Sequence, residues 1–186
     1  MSDPRRHAPA TLRNRDPILA LLRAILPGEG LLLEIASGTG EHAAWIAPRL
    51  DGTLLWQPSD GDPGALAGID AHAAGCPRIL PALVLDVAAT DWPVSRADAI
   101  FCANMIHIAP WQAAEGLFSG ASRLLAPGAT LVLYGPFRRQ GRHTAPSNEA
   151  FDADLKARDA RWGVRCLDLE GAPLADGSIA APRIER

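Results

Sequence analysis

Apolar and polar residues follow two different periods along this chain, and the two periods alternate. Short apolar runs bounded by glycine, proline or acidic residues predict strands at residues 31–36, 53–58, 82–87, 97–104 and 129–134. Between them, apolar spacing and composition predict helices at 17–26, 41–50, 65–74, 111–125 and 148–159. The punctuation agrees: Asp16 is placed to cap the first helix and Pro27-Gly28 to stop it, while Pro127-Gly128 turns the chain into the fifth strand. Ser147 reads as the N-cap of the last helix, after a basic, glycine-containing loop at 137–146.

Strands that alternate with helices imply parallel pairing, because a crossover helix returns the chain to the same end of the sheet. The predicted fold is α/β: a doubly wound, mostly parallel sheet in a single domain over residues 1–186, with residues 1–16 as a polar N-terminal arm or lid. A chain of 186 residues that is 48% hydrophobic can bury such a core.

The net charge of -3 provides no basic excess for non-specific nucleic-acid binding. Cys76, Cys102 and Cys166 are far apart and outside any CxxC spacing, which predicts neither a disulfide framework nor a metal site. The N-terminus is polar rather than signal-like, and no apolar run has the length of a membrane span. The expectation is a cytoplasmic protein without nucleic-acid or membrane partners.

The run LLLEIASGTGEHAAW narrows the chemistry. An apolar strand breaks into a glycine-bearing turn and re-emerges as a helix, which is how a nucleotide-type cofactor is held at a strand end. Gly38 and Gly40 let the backbone approach a ligand, although the same residues also satisfy the GxGxxG/A dinucleotide pattern. Acids fall at the ends of three successive strands: Glu34, Asp60 in WQPSD and Asp86 in LVLDV. Three carboxylates favour a cationic or hydroxyl-rich cofactor over a bare phosphate, and S-adenosyl-L-methionine is such a molecule.

LEIASGTGEHA, WQPSD, ANMIHIAPW, LYGPF and HTAPSNEAFDADLKARDARWGVR resemble successive landmarks of a class I methyltransferase-like family with bacterial and animal members, long known only as a domain of unknown function. The similarity runs from about Ala8 to Arg165. It implies a Rossmann-like, S-adenosylmethionine-dependent methyltransferase with an unassigned acceptor. The cofactor set it implies is Glu34, Ala36, Ser37, Gly38, Gly40, Asp60, Asp86, Val87 and Asn104. Ala36 stands where the general methyltransferase loop most often has its first glycine. The stretch after residue 165 departs from the family, so the last antiparallel strand is expected to be missing or replaced.

ANMIHIAPW follows the fourth strand, where an acceptor would meet the transferred methyl. His107 reads either as a core histidine bonded to backbone or as a general base. His143 is the second candidate base, in the HTAPSN loop. Arg13, Asn14, Met105, Trp111, Tyr134, Thr144, Asn148 and Asp152 complete the expected acceptor pocket. Arg138, Arg139 and Arg142 form a solvated loop face or a clamp for an acidic acceptor, and Trp45, Trp56, Trp92 and Trp162 read as core. The favoured function is methyl transfer to a small-molecule acceptor. A nicotinamide-dependent oxidoreductase and a non-catalytic S-adenosylmethionine-binding protein remain the alternatives.

Overall fold

The computed structural model describes residues 3–167 and 179–180. All five predicted strands are there: β1 (Leu31–Ile35), β2 (Leu55–Asp60), β3 (Leu83–Val84), β4 (Ala99–Ala103) and β5 (Thr130–Tyr134). They pair in parallel in the order β3-β2-β1-β4-β5. A further strand, β6 (Ile179–Ala180), lies antiparallel to β5, with Leu133 opposite Ile179 and Val132 opposite Ala180. The antiparallel edge expected to be missing or replaced is therefore present, as a ladder too short to leave a period in the sequence.

Among the described residues, five α-helices flank the sheet: α1 (Pro9–Ile25), α2 (Glu41–Ile46), α3 (Leu66–Ala73), α4 (Trp111–Leu124) and α5 (Pro146–Arg158). On one face Ile18 and Leu22 of α1 and Ala43 and Ile46 of α2 pack with Leu32, Trp56, Phe101 and Val132. On the other, Ala114, Leu117 and Ala121 of α4 pack with Leu33, Ile35, Ile100 and Leu131. Leu32 and Leu33 are neighbours in β1 yet serve opposite faces, as strand alternation requires. Each such leucine, fully buried, contributes roughly 1.5–3 kcal/mol. The chain runs outward from β1 to β3 and returns on the other side at β4, so the strand order reverses between β1 and β4, where open α/β sheets bind ligands.

Several boundaries move for identifiable reasons. α1 begins at Pro9, eight residues before the predicted start, so Asp16 is not a cap and the arm is confined to the residues before the helix. Pro17 lacks an N–H, but the turn around it is held from α2: Asp16 accepts from Trp45 Nε1 at 3.1 Å, Arg15 stacks on the same indole at 3.6 Å, and His42 Nε2 bonds Asn14 Oδ1 at 2.9 Å. α2 gives way at Ala47–Arg49 to a 3-10 turn, since Pro48 cannot donate to the helical ladder. β3 keeps two residues of the predicted six, paired only with Ser59 and Asp60. α5 starts at Pro146 after an extended Ala145, which puts Ser147 inside the helix rather than at its cap.

Candidate functional site

The loop after β1 is stapled to β2. Ser37 N–H donates to Ser59 O at 2.8 Å, and Gly40 N–H donates to Ser37 O at 2.9 Å. Ser37 Oγ donates to Glu34 Oε2 at 2.8 Å and accepts from Ser59 N–H at 3.2 Å. Glu34 also accepts from Trp56 Nε1 at 2.9 Å and is only 2% exposed. Burial pushes its carboxyl up to about 7, partly offset by those two hydrogen bonds. One carboxylate oxygen of Glu34, Oε2, is thus used to build the loop from below, together with the buried Ser37 hydroxyl.

The two loop glycines serve different ends. Gly38, at φ 61°, has nothing within 4 Å of the position a Cβ would take, and its N–H donates to Asp60 Oδ2 at 2.8 Å. That is an open backbone surface beside a carboxylate. Gly40, at φ 80°, is buried, and a Cβ there would lie 2.7 Å from the Cα of Ile69 in α3. Helix packing by itself requires glycine at position 40. Ala36 occupies the left-handed region at φ 55°, which explains why a glycine suits that position.

Asp60 ends β2 with Oδ2 on Gly38 and Oδ1 accepting from Asp62 N–H at 2.9 Å. Asp86 is exposed two residues beyond β3 and folds its carboxylate onto Ala88 N–H at 2.9 Å. Val87 turns its side chain into the core under α4. Asn104 follows β4 in the left-handed region at φ 63°, its N–H donating to Tyr134 O at 2.8 Å and its carbonyl accepting from His107 N–H at 2.9 Å.

Asn104 and Tyr134, at the carboxyl ends of β4 and β5, line a cavity of about 600 Å³. Arg13 and Asn14 wall it from α1, Thr144 and Asn148 from the loop and first turn of α5. The structure thus brings together six residues separated by up to 135 positions that the sequence had placed at the site. Arg158, Phe151 and Ile108 also line it and were missed. Arg158 reads in sequence as an ordinary basic residue in the last turn of a helix, and only the docking of α5 shows where it faces.

Three expected acceptor residues and both candidate bases are not among the cavity's lining residues. Met105 packs in the core. Trp111 is exposed at the start of α4, 5.5 Å from the Arg165 guanidinium. Asp152 is buried and staples α5 to the following segment, accepting from Val164 N–H and Lys156 Nζ, each at 2.7 Å; the same bonds, working against its burial, hold its pKa below the ordinary carboxylate value. Arg138, Arg139 and Arg142 do not line the cavity either. His107 is fully buried beneath Gly135, and its Nδ1 accepts from Arg165 N–H at 3.2 Å. Desolvation, helped by the Arg165 charge, lowers its pKa to about 4. A buried imidazole whose Nδ1 is already engaged matches the core-histidine reading, the first of the two alternatives. His143 Nε2 lies 3.4 Å from Asp152 Oδ2, and neither histidine is among the residues that line this cavity.

The arm ahead of α1 crosses the glycine loop. Glu41, the first residue of α2, accepts from Ala8 N–H at 2.7 Å and from Thr39 Oγ1 at 2.9 Å, and bonds His7 Nδ1 at 2.9 Å. These bonds hold its pKa below the usual carboxylate value against the desolvation that would raise it. Ligand atoms of His7, Glu41 and His72 gather within 4.8 Å, a cluster invisible in sequence because its members come from three elements. A second cavity, of about 340 Å³, lies between the arm, Gly38-Thr39 and Gly64 to Gly68. Among the described residues, no helix is long and apolar enough to cross a membrane.

A family model described as "Protein of unknown function (DUF938)" matches residues 5–175. Among solved structures, the chain is similar to an O-methyltransferase family protein from Burkholderia thailandensis, at TM-score 0.63 and 17% identity, covering 84% of this chain and 48% of that one. It is similar to the methyltransferase CalO1 of calicheamicin biosynthesis in its SAH-bound form, at TM-score 0.64 and 18% identity, covering 86% and 46%. It is also similar to an amino pentose methyltransferase of calicheamicin biosynthesis from Micromonospora echinaspora, solved with SAM, at TM-score 0.52 and 22% identity, covering 67% and 51%. The chain spans about half the length of these three proteins. The architecture is the Rossmann-like class I methyltransferase fold.

Proposed function

The chain belongs to the DUF938 family, and from that premise we propose that it is an S-adenosylmethionine-dependent methyltransferase acting on a small-molecule acceptor. One observation carries the reading: the open Gly38 backbone beside Asp60 and the 600 Å³ cavity at Asn104 and Tyr134 stand at the carboxyl ends of adjacent parallel strands. The site fits this cofactor on its own chemistry. Asp60 retains lone pairs for ribose hydroxyls, Gly38 leaves room above the loop, Asp86 stands beyond β3, and Glu34 and Ser37 hold the loop in shape.

When bound, the cofactor supplies a methyl on a sulfonium, already a good leaving group. What falls to the protein is alignment and exclusion of water, which can lower a barrier by several kcal/mol without an ionising group. Asn104, Tyr134 and Asn148 orient the acceptor, and α1 and α5 form the walls that keep water out. His107 is neutral at pH 7 and its Nδ1 lone pair is engaged, so no proton is assigned to it.

The deciding experiment is calorimetric titration with S-adenosylmethionine and, separately, with NAD. S-adenosylmethionine is expected to bind, and Asp60→Ala to weaken it roughly 10- to 150-fold, the worth of hydrogen bonds to a charged group. Binding of NAD in its place would move the chain to the oxidoreductases. Cofactor binding without methylation of any component of a metabolite extract would favour a non-catalytic binder.

A further inference from the structure

Resting on the methyltransferase reading, we propose that the acceptor bound in the 600 Å³ cavity carries an oxyanion, a carboxylate or a phosphate, engaged by Arg13 and Arg158. Both arginines line the cavity, Arg13 from α1 and Arg158 from the last turn of α5, and no aspartate or glutamate is among its lining residues. The remaining polar lining is neutral: Asn14, Asn104, Tyr134, Thr144 and Asn148. Two cations facing one small volume without a lining counter-charge favour a negatively charged guest, and a guanidinium's fork matches the two oxygens of a carboxylate or phosphate.

Neither arginine is committed elsewhere. Arg13 has no hydrogen-bond or ion-pair partner among the described residues. Arg158 reaches Asp154 only at 3.9 Å, with both side chains more than half exposed, a pair weak enough to release. Its guanidinium lies 5.1 Å from the Trp162 ring, which orients it without neutralising it. Phe151, Ile108 and Pro136 offer an apolar wall for the body of the same molecule. The guest so described is small, anionic at one end and apolar or aromatic at the other.

The test uses three probes of one shape on the SAH-loaded protein: benzoate, phenyl phosphate and the neutral isostere benzamide, each titrated calorimetrically. At least one anion is expected to bind about tenfold or more tightly than benzamide, and which of the two does so assigns carboxylate or phosphate. Arg13→Gln and Arg158→Gln should each remove about tenfold of that affinity or more, with SAH affinity and melting temperature unchanged. Equal binding of benzamide, or anion affinity unchanged in both variants, overturns the proposal. So does a fall in SAH affinity in Arg13→Gln with anion affinity retained, which would assign Arg13 to the cofactor's own carboxylate. Failure of the wild-type protein to bind SAH would instead defeat the methyltransferase reading, and the anion preference would then be read on the protein alone.

Discussion

Ala36 holds a backbone conformation that costs an L-residue about 1–2 kcal/mol, at φ 55° in the loop after β1. Glycine takes that conformation freely but loses more entropy on folding. Ala36→Gly should therefore stabilise the protein by up to about 1 kcal/mol, a rise of about 2–4 °C in melting temperature; a fall would show that the alanine methyl is packed rather than strained. Glu34 sets a pH dependence of opposite sign to the histidines. Its folded pKa of about 7 stands above the ordinary 4.5, so its contribution is full below pH 4.5 and is lost as pH rises through 7, roughly 3 kcal/mol in all. His42 and His107, lowered from 6.5 to about 4, stabilise above pH 6.5 and lose that contribution as pH falls to 4. From pH 5 to 6.5 the two histidines outweigh one carboxylate and stability rises; near pH 7 the opposing contributions cancel and the curve levels off. Urea unfolding across pH 5–8 should show this rise and plateau, and Glu34→Gln, which removes the opposing contribution, should make the rise about twice as steep. An unchanged slope in the variant would show that Glu34 does not carry it.

At the scale of elements, the two loop glycines separate ligand approach from packing. Gly40→Ala drives a methyl into the backbone of α3 and should destabilise the fold by more than the ordinary cost of a left-handed alanine, because Ile69 Cα cannot move without the helix. Gly38→Ala meets open space and should cost only about 1–2 kcal/mol of strain, while weakening S-adenosylmethionine. Chemical denaturation and ligand titration on both variants separate the outcomes, and equal stability losses would refute the division of labour. The docking of the arm is a second element-scale contact. Glu41→Ala removes the acceptor of Ala8 N–H, so exchange of that amide should accelerate while core amides of β1 and β4 keep their protection.

For the whole molecule, a ligand that binds only the folded state stabilises it by mass action. At a hundred times its dissociation constant, S-adenosylmethionine should add about 2.7 kcal/mol, some 5–11 °C in melting temperature for a chain of this size. The same excess of NAD should leave the transition where it was. An equal shift from NAD would mean that the glycine loop serves a dinucleotide. Because β1 and β4 lie at the centre of both core layers, the loop after β1 and Asn104 after β4 are carried by the most deeply packed strands. Mobility should be concentrated instead in the arm and in the segment between β5 and α5.

The five strands, their parallel sense and the glycine loop were legible because each is a local pattern: an apolar run of four to eight residues, a helix between neighbours, two glycines at a strand end. Asp60, Asn104, Tyr134 and Asn148 were legible for the same reason, as residues just past predicted strands or at the mouth of a predicted helix. What the sequence could not separate was direction. Glu34 sits at a strand end like Asp60, yet in the fold its carboxylate is buried against Trp56 and Ser37, and that burial raises its pKa against the pull of their two hydrogen bonds. His107 was left open between two readings and Arg158 was missed; one is drawn under Gly135 and away from solvent, the other brought into the cavity by the docking of α5. Burial and facing are sums over contacts between residues far apart in the chain, and no local period encodes them. Local chemistry determined which residues could form a site, and tertiary packing decided which of them face it.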